Sequence, residues 1–164
     1  MKESNEYMRT KVINNRLEIF WPEGFHEMSK EEIGQMSSPW GAPAFCLKDP
    51  ERHIILAAGY RTINGFSAMM LNVNDLADRM KKDLEGQMQS FGCHFDDPVN
   101  TKVGTAEAGG WRYGYTVQDI PMCAESLVLK DGKDLYYLHF YYREALKEES
   151  LSVIGEILKQ SGLK

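Results

Sequence analysis

At 164 residues, with 43% hydrophobic and 26% charged side chains, the chain is long enough to bury a core without staples and too apolar to stay disordered. Its net charge of −5 works against a nucleic-acid partner, because phosphate binding needs a basic footprint and the longest Lys/Arg cluster is Lys81-Lys82. No run reaches the roughly 20 apolar residues of a membrane span, and the stretch from Met1 to Phe20 lacks the apolar run of a signal peptide, so the expected setting is cytoplasmic.

Residues 1–15 read as a loose arm. Arg16-Leu17-Glu18-Ile19-Phe20-Trp21 alternates as a short strand should, and Pro22-Glu23-Gly24 stops it. Ser29 and Glu32 have capping-box spacing, which predicts a short helix over Lys30–Met36. SSPWGAP follows as a loop by composition. Ala44–Lys48 and His53–Tyr60 are two strands around Asp49-Pro50-Glu51-Arg52. The second is apolar enough to be covered on both faces. Asn64-Gly65 marks a turn, and Phe66–Leu71 is either a further strand or a lead-in to the next helix.

Asn72 or Asn74 caps a helix over Val73–Phe91, with Val73, Leu76, Ala77, Met80, Leu84, Met88 and Phe91 as its apolar stripe. Gly92–Asn100 is a connecting loop. Gly109-Gly110 then suits a two-residue hairpin, setting Glu107 opposite Arg112, Ala106 opposite Tyr113 and Gly104 opposite Tyr115. Asp131-Gly132 suits a second, type I′, hairpin pairing Leu127 with Tyr136, Glu125 with Leu138 and Cys123 with Phe140. The connection at Asp119-Ile120-Pro121 has no defined length, and a slip of one residue there exchanges the two faces. Hydrophobic matching puts Trp111, Tyr113, Tyr115, Val117, Cys123, Leu127, Leu129, Tyr136, Leu138 and Phe140 on a core face. Thr105, Glu107, Arg112, Thr116, Ala124, Ser126, Val128, Tyr137, His139 and Tyr141 fall on a half-polar face. Glu144–Ser161 closes the chain as a helix with its acids first and Lys159 last, as the dipole favours. No repeat or linker divides the chain, so one domain over residues 1–164 is expected.

Chemistry is thin in this sequence. His139 lies on the half-polar face near Ser126, Tyr137 and Tyr141, where a histidine beside a hydroxyl could serve as base to a nucleophile. Ser126 has no nucleophile elbow and no Asp is placed to orient the ring, so the favoured reading is a hydrogen-bonded sheet histidine. Glu125 on the core face reads as an acceptor for a tyrosine hydroxyl, or as the sign of a register error. Cys93, His94, Asp96 and Asp97 lack metal-site spacing. Cys46, Cys93 and Cys123 are odd in number without a CxxC, which favours free buried thiols. There is no GxxxxGK[ST], no GxGxxG and no HExxH, so no cofactor and no metal are expected. The density of tyrosines in the sheet is explained by strand packing.

Three stretches carry a resemblance: LEIFWPEGFHEMSKEEI, ERHIILAAGYR and DGKDLYYLHFYYREALKEESLSVIGEILKQSGL. Their order resembles the PsbP-like superfamily, which includes the photosystem II oxygen-evolving subunit, the Ran-binding nuclear-import factor and bacterial DcrB-like proteins. The Pro22-Gly24-Phe25 turn and the last strand feeding a C-terminal helix are the matching features. The resemblance implies an α/β/α sandwich, a largely antiparallel sheet with helices on both faces. It also implies a non-enzymatic binding or adaptor role through protein–protein contacts, and supplies no catalytic set. No motif here identifies a Ran-type GTPase as partner.

The expected function is therefore a protein-binding module using Arg112, Ser126, Tyr137, His139 and Tyr141 on the half-polar face together with the Ser37–Pro43 loop. The alternatives are a small-ligand binder or hydrolase-like enzyme with a His/Tyr/Ser pocket, and a structural subunit of a homo-oligomer.

Overall fold

The computed structural model describes residues 9–35 and 43–164. A seven-stranded antiparallel sheet forms its middle layer. Its strands are β3 (His26–Glu27), β4 (Phe45–Asp49), β5 (Ile54–Thr62), β6 (His94–Val103), β7 (Ala106–Val117), β8 (Ile120–Asp131) and β9 (Asp134–Arg143), in the spatial order β3-β4-β5-β9-β8-β7-β6. A smaller sheet has the order β1 (Arg9–Ile13), β2 (Leu17–Trp21), β10 (Gly162–Leu163). The helices are α1 (Lys30–Gly34), α2 (Gly65–Met70), α3 (Val73–Met88) and α4 (Lys147–Gln160), the last two flanked by 3₁₀ turns at Gln89–Phe91 and Glu144–Leu146. Helix α3 packs on β7 and β8, while α4 packs on β2, β6 and β9. The α+β sandwich with helices on both faces is as expected.

Local chemistry explains the punctuation. Ser29 and Glu32 form the reciprocal capping box of α1, and Asn72 with Asp75 does the same for α3, satisfying backbone donors that the first turn would orphan. Asp49 Oδ1 accepts from the backbone N–H groups of Glu51 and Arg52 at 3.0 and 3.1 Å, which closes the β4–β5 turn. Leu76, Ala77, Met80 and Leu84 of the predicted α3 stripe are buried, whereas Phe91 is 42% exposed.

Several expectations need correction. Arg9–Ile13, expected within a loose arm, is strand β1, paired to β2 from Arg9–Trp21 to Ile13–Leu17. Phe66–Leu71 resolves as helix, with Asn64 as its N-cap. Gly92–Asn100 is no loop, because β6 begins at His94 and carries a register shift between Phe95 and Pro98. Gly109-Gly110 is not a turn but the interior of β7. The β6–β7 turn falls at Gly104-Thr105, so Lys102, not Arg112, faces Glu107. A Cβ on Gly110 would stand 1.8 Å from the Ser126 carbonyl oxygen, so that glycine serves close strand approach instead of a bend.

The last hairpin turns at Gly132-Lys133, two residues along from the expected pairing. Leu127 faces Leu138, Glu125 faces Phe140 and Cys123 faces Tyr142. A slip of two preserves which side chains share a face. The β7–β8 connection does not. Val117 pairs with Ile120 around Gln118 and Asp119, both left-handed at φ 48° and 67°, the backbone of a type I′ turn. This shifts β7 by one against β8, so Trp111, Tyr113 and Tyr115 join Ser126 and His139, and Arg112 joins Glu125 on the opposite face.

Both faces of the large sheet are consequently buried. On the α4 face, Leu56, Leu127, Leu129, Leu138 and Phe140 pack against Leu17 and Ile19 of β2 and Ile154 and Ile157 of α4. On the α3 face, Met80 and Leu84 meet Tyr113, Tyr115 and Ala124, and Leu76 and Ala77 meet Val128 and Leu135.

Candidate functional site

Strand pairing brings the polar residues of the α3 face together. Ser126 lies directly opposite His139 on β9 and opposite Trp111 on β7. Ala124, one step along that face of β8, lies between Tyr113 and Tyr141, and its small side chain leaves room for the two rings to meet. The same economy holds on β5, where Gly59 faces Tyr137 and a Cβ there would stand 2.4 Å from the Tyr137 hydroxyl. Small residues on alternate strands are what let Trp111, Tyr113, Tyr115, Tyr137 and Tyr141 fit on this face.

The result is a chain of hydrogen bonds. Ser126 Oγ is 2.6 Å from His139 Nδ1 and 2.8 Å from the Tyr113 hydroxyl, and Tyr113 in turn is hydrogen-bonded to Tyr141. Burial lowers the His139 pKa to about 4, so the ring is neutral near pH 7. Burial raises the Tyr113 and Tyr141 hydroxyls, so both stay protonated. The network carries no net charge, as a desolvated polar cluster must if no counter-ion is present. His139 Nε2 and Trp111 Nε1 are buried and, among the described residues, have no hydrogen-bond partner. Lys81 of α3 reaches over the Trp111 ring, 4.4 Å from its centroid, a cation–π contact that pins the helix to the sheet.

A neutral imidazole beside a serine hydroxyl is the arrangement of a base next to a nucleophile. Here Ser126 is 0% and His139 1% exposed, and no carboxylate appears among their hydrogen bonds. In this conformation a substrate has no path to Ser126.

What is open lies at the end of the network. Tyr141 also lines a cleft of about 440 Å³ with Ile55, Leu84, Met88, Phe91, Tyr115, Val117 and Met122, and Gln35 and Gln87 add polar groups to the lining. A second hollow of about 310 Å³ adjoins it, sharing Ile55, Val117, Met122 and Tyr141 and adding His53, Ile120 and Arg143. Phe91, Val117 and Ile120 at the rims are 42%, 38% and 39% exposed. The lining is mostly apolar, with a few polar groups at its edges, the usual make-up of a recognition site.

Of the residues singled out in the sequence, Ser126, Tyr137, His139 and Tyr141 share this face. Arg112 does not. It sits on the α4 face, with Nε 2.7 Å from Glu125 Oε1, and Glu125 is the carboxylate that this guanidinium satisfies. Of the Ser37–Pro43 loop, residues 37–42 lie outside the described residues. Trp111, Tyr113 and Tyr115 belong to the site and were missed through the β7 register. Among the described residues no group of acids, histidines and cysteines is arranged to hold a metal ion. His94 instead lies across Gly114, where a Cβ would meet its ring at 2.5 Å.

No family model matches the sequence, nor does any curated protein. Solved structures do. The solution structure of cyanobacterial PsbP (CyanoP) from Synechocystis sp. PCC 6803 superimposes with a TM-score of 0.72 over 96% of this chain and 93% of its own, at 12% identity. The chain has the PsbP-like fold. LpqN, involved in cell envelope biogenesis of Mycobacterium tuberculosis, shares that PsbP-like arrangement with a TM-score of 0.61, 11% identity and coverage of 99% and 95%. A Bacteroides thetaiotaomicron VPI-5482 protein gives 0.61 and 11% over 96% of this chain but 49% of that one. At these identities the PsbP-like likeness is one of fold. Among the described residues, no helix is long and apolar enough to cross a membrane.

Proposed function

We propose that this PsbP-like protein is a non-enzymatic binding or adaptor module that grips an apolar segment of a protein partner in the cleft beside Tyr141. The supporting observation is the cleft itself, about 440 Å³ with an apolar lining and Phe91 and Val117 exposed at its edge. Such a hollow accepts one or two side chains of a partner, and buried aromatic anchors supply most of the energy in such contacts. The buried Ser126–His139 pair supports the reading from the other side, because it holds the cleft floor in place through Tyr113 and Tyr141 without meeting solvent.

The test is affinity capture from the native cell with the wild-type chain and with Phe91→Glu/Val117→Glu, both at exposed positions. A protein retained by the first and lost by the second supports the proposal. Identical captures, or none, would overturn it. Retention of this same chain would instead favour the homo-oligomer subunit. A small-ligand binder is favoured by the cleft volume alone, since Ser126, Tyr137 and His139, the His/Tyr/Ser set, are not among the residues that line it. A cytoplasmic setting is proposed, while likeness in fold to LpqN supports the envelope as the alternative; cell fractionation separates the two.

A further inference from the structure

Helix α2 reverses the usual amphipathic pattern. Phe66, Met69 and Met70 stand at i, i+3 and i+4, the spacing of a buried stripe, yet they are 74%, 86% and 64% exposed. The helix is well anchored. Asn64 Oδ1 accepts from the Ser67 N–H at 2.7 Å, and Lys130 Nζ donates to the carbonyl oxygens of Ala68 and Leu71 at 2.6 and 2.7 Å. The polar side of the helix is thus tied to β8 while its apolar side is held out to solvent. Single exposed apolar residues are ordinary, but three large ones on one turn mark a contact surface.

Cations stand on both flanks of this ridge. On one side α2 forms the wall of a cleft of about 490 Å³ whose charged lining is Arg61, Arg79 and Lys82 against the single carboxylate of Asp83. On the other, Lys133 Cε lies 3.7 Å from where a Cβ on Gly65 would be. Of the neighbouring carboxylates, Asp131 is offset by Arg16, whereas Asp134, bonded to Thr62 and Asn14, and Asp75, in the α3 cap, keep their charge. In a chain of net charge −5, the lining of this cleft is thus richer in cations than in acids, beside an apolar prominence.

We propose that α2 is a membrane-docking element for an anionic lipid surface. Phe66, Met69 and Met70 enter the boundary between headgroups and acyl chains, and Arg79, Lys82 and Lys133 meet lipid phosphates from both sides. A lipid surface suits this chemistry, because three large apolar side chains are 64–86% exposed on one short helix and cations stand beside it on both flanks. Long cationic side chains extend their stems along such a boundary while their heads remain hydrated. The attachment is weak and reversible, since each cation beside an anionic surface strengthens partitioning by only about fivefold. It is distinct from the Tyr141 cleft, with which the lining of the cationic cleft has no residue in common.

The experiment is co-sedimentation of the full chain with phosphatidylcholine vesicles, with and without phosphatidylserine. Binding is expected only when phosphatidylserine is present, with a loss of about tenfold or more for Phe66→Asp/Met69→Asp and for Arg79→Glu/Lys82→Glu. All four positions are exposed, and an unchanged melting temperature checks that the fold is intact. Inorganic phosphate at moderate concentration should not displace the protein. No binding to either vesicle, or binding insensitive to the Phe66/Met69 pair, overturns the proposal. So does full competition by phosphate, which would reduce the site to a small-anion cleft. Capture by an acidic polypeptide in the absence of vesicle binding would assign the ridge to a protein.

Discussion

The two faces of the large sheet are built from the same strands yet solve burial differently. The α4 face is dry. Leu127, Leu129, Leu138 and Phe140 meet β2 and α4 in one continuous apolar cluster, all at 0% exposure. The α3 face splits into two smaller clusters, with Ser126 and His139 lying on the same face between strands that contribute to both. Beyond the C-terminal half of α3 the cover stops, and the cleft beside Tyr141 opens. One face therefore supplies bulk stability, and the other trades part of it for a positioned polar network and an accessible hollow. Where a polar network sits in a core, its energy depends on each member being satisfied, so this face is the one sensitive to pH and to single hydroxyls.

The largest contrast is expected from Phe140→Ala on the α4 face. Phe140 is fully buried at the sheet centre, and deleting such a ring costs about 3–5 kcal/mol in lost transfer energy and cavity formation. Urea denaturation should show the midpoint falling with little change in slope. A loss below about 1 kcal/mol would mean that the α4 face is not the main source of stability.

The α3 face makes a different prediction through His139. Its pKa is lowered to about 4 in the fold from an ordinary 6.5, so the unfolded chain takes up a proton that the folded one refuses. The stabilisation is therefore complete above pH 6.5, declines as pH falls, and is exhausted by about pH 4. The sum over that window is about 3 kcal/mol. Measuring stability at several pH values for the wild type and for His139→Gln should show a steeper acid loss in the wild type. Parallel curves would show that the imidazole is not held neutral by burial.

How far these two faces were legible in the sequence depended on turns. Capping boxes at Ser29 and Asn72 announce helices by local hydrogen bonding, and Asp49-Pro50 announces a turn by fixed φ; each is a short-range effect. The β7–β8 connection gives no such notice. Gln118 and Asp119 adopt left-handed backbone without the glycine that usually marks it, so the strand parity of Trp111, Tyr113 and Tyr115 was open to a one-residue error. Gly109-Gly110 misled in the opposite direction, because glycine serves close approach as readily as bending, and sequence alone does not separate the two. Ser126, Tyr137, His139 and Tyr141 were grouped correctly because the shift of the β8–β9 pairing was even. The Tyr141 cleft was out of reach, since it is formed by where α3 ends over the sheet, a tertiary fact. The exposed ridge of α2 was hidden because Phe66–Leu71 reads as a further strand or a lead-in to the next helix, not as a helix of its own.

The finest distinction is whether the network and the cleft act as one unit. Ser126→Ala removes the oxygen shared by Tyr113 and His139, leaving two buried polar groups short of a partner at a cost of about 1–3 kcal/mol. Tyr141→Phe removes only the hydroxyl at the far end and should cost about 1 kcal/mol. If the hydrogen bonds form a connected chain, the second change should cost more once the first has been made, because Tyr113 then loses its remaining hydroxyl partner. The double-mutant cycle should then show a coupling of about 0.5 kcal/mol or more. Strict additivity would mean that Tyr113 holds its two partners independently. In that case the cleft wall would be set by packing against Leu84 and Met88, and changes at Ser126 would leave partner binding at Tyr141 untouched.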